Sequence, residues 1–561
     1  MNRNSEVSRR DLLKATVATT ATAVAAPLIR PGVAAADPPP PVMRSREAAT
    51  VRTVGLPPLP DLAVIALNRM AFGPRPGDLE EFHSLGPTPE AQLQAFVDQQ
   101  LAPEAIDDSE CDSRIAAANL TTLDKTLEQL WADHVVNNNG SGNVRMQPVR
   151  ETEVATWIRA VYSRRQLVEV LADFWHNHFN VYGWHYYAGP VFVHYDRDVI
   201  RGHMLGNFRQ MLESVATSTA MLFYLDNYIN SRAGPNENYA RELMELHTLG
   251  AENYLGILDQ RDVPGFDEGA PIGYVDGDVY EAARCFTGWR VDYSYWEPGV
   301  GQSGTFLYYD AWHDRFQKTV LGKYLPHDQP PMQDGLAVLD AVATHPGTGR
   351  HIARKLCRRL IGDDPPQAAV DAAAAVFNAQ TDAPDQLAQV VRTVLLSEAF
   401  RTSWAEKIKR PLEATAAMLR ATAADFTPTD TFSWHFGRAG QGLFQWVPPN
   451  GYPDRKENWD GTTSLLERWR LCNRLIEGGV EGTTIDTLSQ MPATIRTPNA
   501  IADFWIARLL GRAMNAKDRQ EIVDFIAQGR NADYDLPTEQ INDRLPRMVA
   551  LILMAPDFQW R

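Results

Sequence analysis

Apolar positions recur three and four residues apart along most of the chain from residue 61 onward. Leu62, Ile65, Ala66 and Arg69 open one amphipathic stretch, and Leu93, Phe96, Val97 and Leu101 make another. Blocks with the same period cover 120–137, 150–182, 196–225, 236–254, 277–288, 334–361, 367–378, 384–400, 407–423, 462–477, 498–513, 517–529 and 537–556. Strand-like alternation is scarce and short, and no internal repeat has a fixed period. The pattern predicts a mainly α, multi-helical globular protein with little sheet and long loops at 138–149, 255–276, 290–333 and 424–461.

The first 36 residues depart from this pattern. Ser8-Arg9-Arg10-Asp11-Leu12-Leu13-Lys14 precedes an uncharged Ala/Thr/Val stretch to Pro27 and then Ala34-Ala35-Ala36, the order of a twin-arginine export leader with an A-x-A cleavage site. That stretch is too short and too rich in Ala and Thr to span a bilayer, which takes roughly 20 strongly apolar residues, and no later segment reaches that length. The expected product is periplasmic or secreted, with no membrane span in the mature chain. Prolines at 38–41 and at 57, 58 and 60 bracket an extended linker. The segmentation expected is a signal peptide over 1–36, a Pro-rich linker over 37–60, an N-terminal helical subdomain over 61–290 carrying the candidate site, an aromatic loop region over 291–333 and a C-terminal helical subdomain over 334–561.

Charge narrows the partners. The net charge of −16 becomes about −19 once the leader's basic residues are gone, and such a chain repels phosphate backbones and anionic lipid, so no nucleic acid is expected. Cys111, Cys285, Cys357 and Cys472 are scattered without a C-x-x-C pair. A thiolate zinc site is thereby excluded, and either long-range disulfides or buried free thiols remain open.

The long loops are rich in aromatic residues. Residues 289–312 hold Trp289, Tyr293, Tyr295, Trp296, Phe306, Tyr308, Tyr309 and Trp312, and a second set runs from Phe432 to Trp459. Such rings either lid the core or stack on sugar faces; on the second reading Trp289, Trp296 and Trp312 bind substrate together with Arg241 and Asn238.

Several motifs in a fixed order resemble one bacterial family, domain of unknown function 1800. They are residues 68–79 (N-R-M-A-F-G-P-R-P-G-D-L), 174–179 (F-W-H-N-H-F), 205–209 (L-G-N-F-R), 224–227 (Y-L-D-N) and 236–246 (N-E-N-Y-A-R-E-L-M-E-L). Residues 278–284 with 287–289, His313-Asp314, 318–322, 353–356 (A-R-K-L) and 409–411 (K-R-P) continue the series. The resemblance implies a secreted or periplasmic, predominantly helical protein, often encoded beside a sulfatase-like partner of the family domain of unknown function 1501. It supplies no agreed catalytic mechanism. The chain departs from similar members at His247, where an aromatic such as Phe is more usual.

Two helices carry candidate chemistry. At 100° per residue, Leu167, Leu171, Phe174 and His178 share one face while His176 falls opposite, near Glu169 and Arg165. The two histidines are the candidate metal ligands, yet they cannot both reach one ion while the helix continues. In the second helix Glu237, Arg241 and Glu245 form an i, i+4, i+8 ladder with Asn238 and Glu242 beside it. This face is either a solvated salt-bridge row or a cavity wall in which Glu242 and Glu245 do catalytic acid–base work. His313 and Asp314, with Lys318, form a further loose catalytic set. The H-E-x-x-H, G-x-S-x-G and Walker A patterns are absent.

The function expected from these readings is an exported enzyme, metal- or carboxylate-dependent, acting on an extracellular polymer such as polysaccharide, with a divalent metal as the conceivable cofactor. The alternative is a non-catalytic surface or assembly protein that binds carbohydrate and the sulfatase-like partner.

Overall fold

Helix α1 (Leu62–Arg69) starts where the linker ends, with the Asp61 carboxylate accepting the Ala63 amide at 2.8 Å. Every residue from Ala63 to Arg69 is buried. Arg69 is accommodated because the Phe400 and Ser403 carbonyls accept from its guanidinium at 3.0 and 2.8 Å. The computed structural model that shows this describes residues 58–561 apart from Asn139 and Tyr295. The leader and nearly all of the linker lie outside the described residues.

The block expected over 150–182 is two helices, α2 (Gln147–Tyr162) and α3 (Gln166–His178). Asp108, far back in the chain, breaks the run: its carboxylate accepts from the Ser163 hydroxyl at 2.7 Å and from the Arg164 amide at 2.6 Å. Gln166 then takes the Ser163 carbonyl at 2.9 Å while its oxygen accepts the Phe72 amide at 3.1 Å. Both partners of the break are distant in sequence, so no local period announces it.

Three π-helical turns, Ala132–Val136, Tyr195–Arg201 and Leu243–His247, interrupt regions that read as plain α-helix. The last shortens the expected 236–254 helix to Asn238–Glu242 plus the π turn, closed by Thr248, whose hydroxyl donates to the Leu243 carbonyl at 2.6 Å. Downstream come α4 (Asp276–Cys285), α5 (Pro346–Leu360), α6 (Pro411–Ala421) and α7 (Pro498–Leu510), with shorter helices between them.

Sheet is confined to three two-stranded antiparallel ribbons among the described residues. β1 (Trp289–Val291) pairs with β2 (Phe306–Tyr308), β3 (Lys318–Val320) with β4 (Lys323–Leu325), and β5 (Asp425–Phe426) with β6 (Thr483–Thr484). The region expected as loop over 290–333 therefore holds two hairpins. The second turns at Leu321-Gly322 with positive φ at both residues, as tight hairpins require. The fold is mainly α and multi-helical. No described helix is long and apolar enough to cross a membrane.

The main core runs without a break from Ala63 to Val480 and includes Val291, Val320 and Leu321 from the hairpin region. A second, smaller core is built from Ala414 to Phe558. Helix α6 serves both, giving Leu412, Ala416 and Leu419 to the first and Ala414, Ala417, Met418 and Ala421 to the second. It is buried on every side because it lies between them, and its Glu413 and Arg420 are met by ion pairs. The second aromatic stretch mostly seals the main core: Phe432 and Phe436 meet the Trp157 ring edge-on at 4.9 and 4.7 Å. All four cysteines are buried free thiols.

Candidate active site

The last turn of α3, Trp175-His176-Asn177-His178, sends its polar side chains in three directions. The helix continues through His178, so the two histidine rings diverge. His176 Nε2 lies 2.8 Å from Asp196 Oδ1. Asn177 donates to the Tyr452 carbonyl at 2.8 Å and accepts the Tyr452 amide at 2.6 Å, pinning a loop to the helix end. His178 Nε2 meets the His247 carbonyl at 3.1 Å on the other side.

His176 lines a small cavity of about 40 Å³, walled also by Thr156, Asp173, Asn180, Phe444 and Tyr452. Its ring is packed against Phe444 at 4.9 Å and Phe192 at 5.7 Å. Among the described residues no group hydrogen-bonds its Nδ1. Asp196 is placed by the π turn at Tyr195–Arg201, which brings Arg201, five residues on, to the same face: Arg201 Nε donates to Asp196 at 3.0 Å and its terminal nitrogens to Glu169 at 2.9 Å each. Burial works to raise the Asp196 carboxyl, but Arg201, His176 and Arg159 outweigh it and hold it well below the usual carboxylate range. An ionised Asp196 accepts from Nε2–H, which leaves Nδ1 as the unprotonated nitrogen of the neutral ring.

Beyond this dyad three guanidiniums share two carboxylates. Asp173 accepts from Arg410 and, at 3.3 Å, from Arg359, and Glu413 takes Arg359 and, at 2.8 Å, Arg561. The Thr156 hydroxyl on the cavity wall is buried without a partner. Glu153, one helical turn away on α2, accepts the Trp184 indole N–H at 3.0 Å, and burial raises its carboxyl to about 7. The arrangement suits proton transfer by a histidine whose tautomer is fixed by a buried carboxylate.

The remaining predicted residues fall elsewhere. Among the described residues no group of three or more His, Cys, Asp or Glu side chains is placed to hold a metal ion. Between the Asp196 and Glu169 carboxylates, where a cation would fit, the Arg201 guanidinium sits. His178 instead joins His247 and His351, with ring centroids 6.2 Å from each. Burial, then Lys355 and His351, lower His247 to about 3, and both of its ring nitrogens are buried without partners.

On the acidic helix Arg241 pairs with Glu237 at 3.0 Å and with Asp276 at 3.1 Å, so the ladder does not extend to Glu245. Glu242 and Glu245 are half-buried, and neither lines the His176 cavity. Asn238 donates to the Leu225 carbonyl at 3.0 Å and serves the backbone. His313 Nε2 lies 3.2 Å from Asp334, which also takes Lys318 at 2.6 Å, all three buried, while Asp314 turns away to Arg284 at 2.8 Å. Trp289 is core, Trp312 covers the Arg290 guanidinium at 4.1 Å and Trp296 is 91% exposed, so the three rings make no common platform.

Sequence reasoning passed over Asp196, Arg201 and Tyr452. The available signal was Glu169 on the same helical face as His176, a buried acid in need of a cation. The sequence profile of a family described as "Protein of unknown function (DUF1800)" matches residues 65–560. No curated protein and no solved structure matches the chain.

Proposed function

The chain belongs to the DUF1800 family, and we propose that it is an exported enzyme in which His176, oriented by Asp196, transfers a proton to or from a substrate group that enters the cavity. The reading is supported above all by the 2.8 Å His176–Asp196 contact on the wall of the cavity. Arg201 keeps Asp196 ionised, Asn177 holds Tyr452 on the cavity wall, and Phe444 fixes the imidazole plane. Hydrolytic or eliminative cleavage of a polymer such as polysaccharide is the class of reaction such a base serves. Trp446, half-buried with its ring 4.8 Å from that of Tyr452, offers a face on which a sugar can stack.

The test is release of reducing ends from a panel of soluble neutral and acidic polysaccharides. The expected result is release from at least one of them, lowered about 10²–10⁴-fold by His176→Gln, the range a general acid–base contributes. No release from any member of the panel, or full activity in His176→Gln, would overturn the proposal.

A further inference from the structure

A second concavity, an open groove of about 530 Å³, lies beyond the His176 cavity on the same two helices. Helix α2 gives Thr156 and Ala160 to the cavity and Val161 and Tyr162 to the groove, while α6 gives Leu412 to the one and Leu419 and Arg420 to the other. Seven residues along α6 separate the two by about 10 Å.

Five arginines from five separate segments line the groove: Arg75, Arg114, Arg164, Arg420 and Arg508. Four of them are answered by carboxylates. Asp78 takes Arg75 at 3.5 Å and Arg420 at 3.2 Å, Asp425 takes Arg114 at 2.9 Å, and Glu81 takes Arg164. Arg508, brought in by α7, donates to the Gln490 side-chain oxygen at 2.7 Å and pairs with no carboxylate among the described residues. It is half-buried, and its Nε–H has no acceptor. The groove thus carries one guanidinium without a counter-charge in a chain that is strongly acidic overall.

We propose that this groove binds a carboxylate-bearing saccharide chain, whose carboxylate answers Arg508. The charge part of the inference stands on the groove alone; the saccharide class rests on the function proposed above. The Arg114 guanidinium covers the Tyr162 ring at 3.8 Å, so that ring is not available to stack a nucleobase. The walls alternate guanidinium groups, which donate to sugar hydroxyls, with carboxylates, which accept from them, and an arginine is well suited to a planar carboxylate. The groove's volume of about 530 Å³ lies within the roughly 300–1,000 Å³ of ligand-binding pockets, and it is open along its length.

Isothermal titration of the full chain with tetragalacturonate, and with neutral maltotetraose as the comparator, tests this. Tetragalacturonate is expected to bind saturably and more weakly as salt rises, since screening shortens with ionic strength, and maltotetraose is expected not to bind. Arg508→Gln should weaken binding at least about tenfold, the loss of one charge-assisted contact, and Ala423→Glu, a carboxylate added at an exposed groove position, should do the same, each with an unchanged melting temperature. His176→Gln should bind as the wild type does, which separates this site from the catalytic reading. Absence of saturable binding, or wild-type affinity in both groove variants, would overturn the proposal.

Discussion

Asn177 and Tyr452 exchange two hydrogen bonds, 2.8 and 2.6 Å, across 275 positions of sequence. This reciprocal clasp holds the loop that closes the cavity against the end of α3. The intervening Gly451, at φ +71, fits beneath it because a Cβ there would collide with the Asn177 carbonyl. Asn177→Ala should lose about 1–3 kcal/mol by thermal unfolding, because the Tyr452 amide is left without its partner. Amide hydrogen exchange at Tyr452 should quicken in the same variant, and an unchanged exchange rate would show the loop to be held by other contacts.

His247 is the residue most out of place in the core. Both its ring nitrogens lack partners, and its folded value near 3 lies far below the 6.5 of a free imidazole. Below pH 6.5 the unfolded chain binds the proton and the folded chain does not, so stability falls as pH drops from about 6.5 toward 3. His247→Phe removes the orphaned groups and this linkage. Its melting temperature should match or exceed that of the wild type at pH 7.5, and the margin should widen at pH 5.

Glu153 shows the opposite sign. Its carboxyl is raised to about 7 by burial, so between about pH 4.5 and 7 the folded chain binds the proton that the unfolded chain has lost, and stability falls as pH rises through that window. Glu153→Gln keeps an acceptor for the Trp184 indole and cannot ionise. It should gain on the wild type at pH 8 by at most about 3 kcal/mol and show little difference at pH 4.5. A margin independent of pH would contradict the raised value.

The buried set His313, Asp334 and Lys318 is read as structural, since Asp334 answers a fully buried ammonium at 2.6 Å. Asp334→Asn leaves Lys318 buried without its counter-charge and should cost about 3–5 kcal/mol in chemical denaturation. Lys318→Met with Asp334→Leu should recover a large part of that loss. A double variant as unstable as the single one would assign the triad a role beyond charge matching.

Export is tested at the leader. Changing Arg9 and Arg10 together to Lys keeps the charge and removes the paired guanidinium groups. The precursor should then accumulate in the cytoplasm on fractionation. Undiminished export would remove the twin-arginine reading.

The 3.6-residue period determined the helical class and most helix positions, and the wheel of α3 already required His176 and His178 to point apart. It could not say which face was buried with what. Asp196 lies on a π turn that alters the phase, and Arg201, Asp108 and Tyr452 act through contacts from other segments. The same wheel put Glu245 in line with Arg241, but the π turn at Leu243–His247 changes the angle per residue, and Arg241 turns to Asp276 instead. Local period thus settled where most helices lie, but not the π turns, the break at Ser163 or the hairpins within 289–325. Only tertiary packing decided that His176, rather than the acidic helix or the His313 loop, lines this cavity with a buried carboxylate on its ring, because the partners that orient it are brought together by folding and leave no mark on the spacing around it.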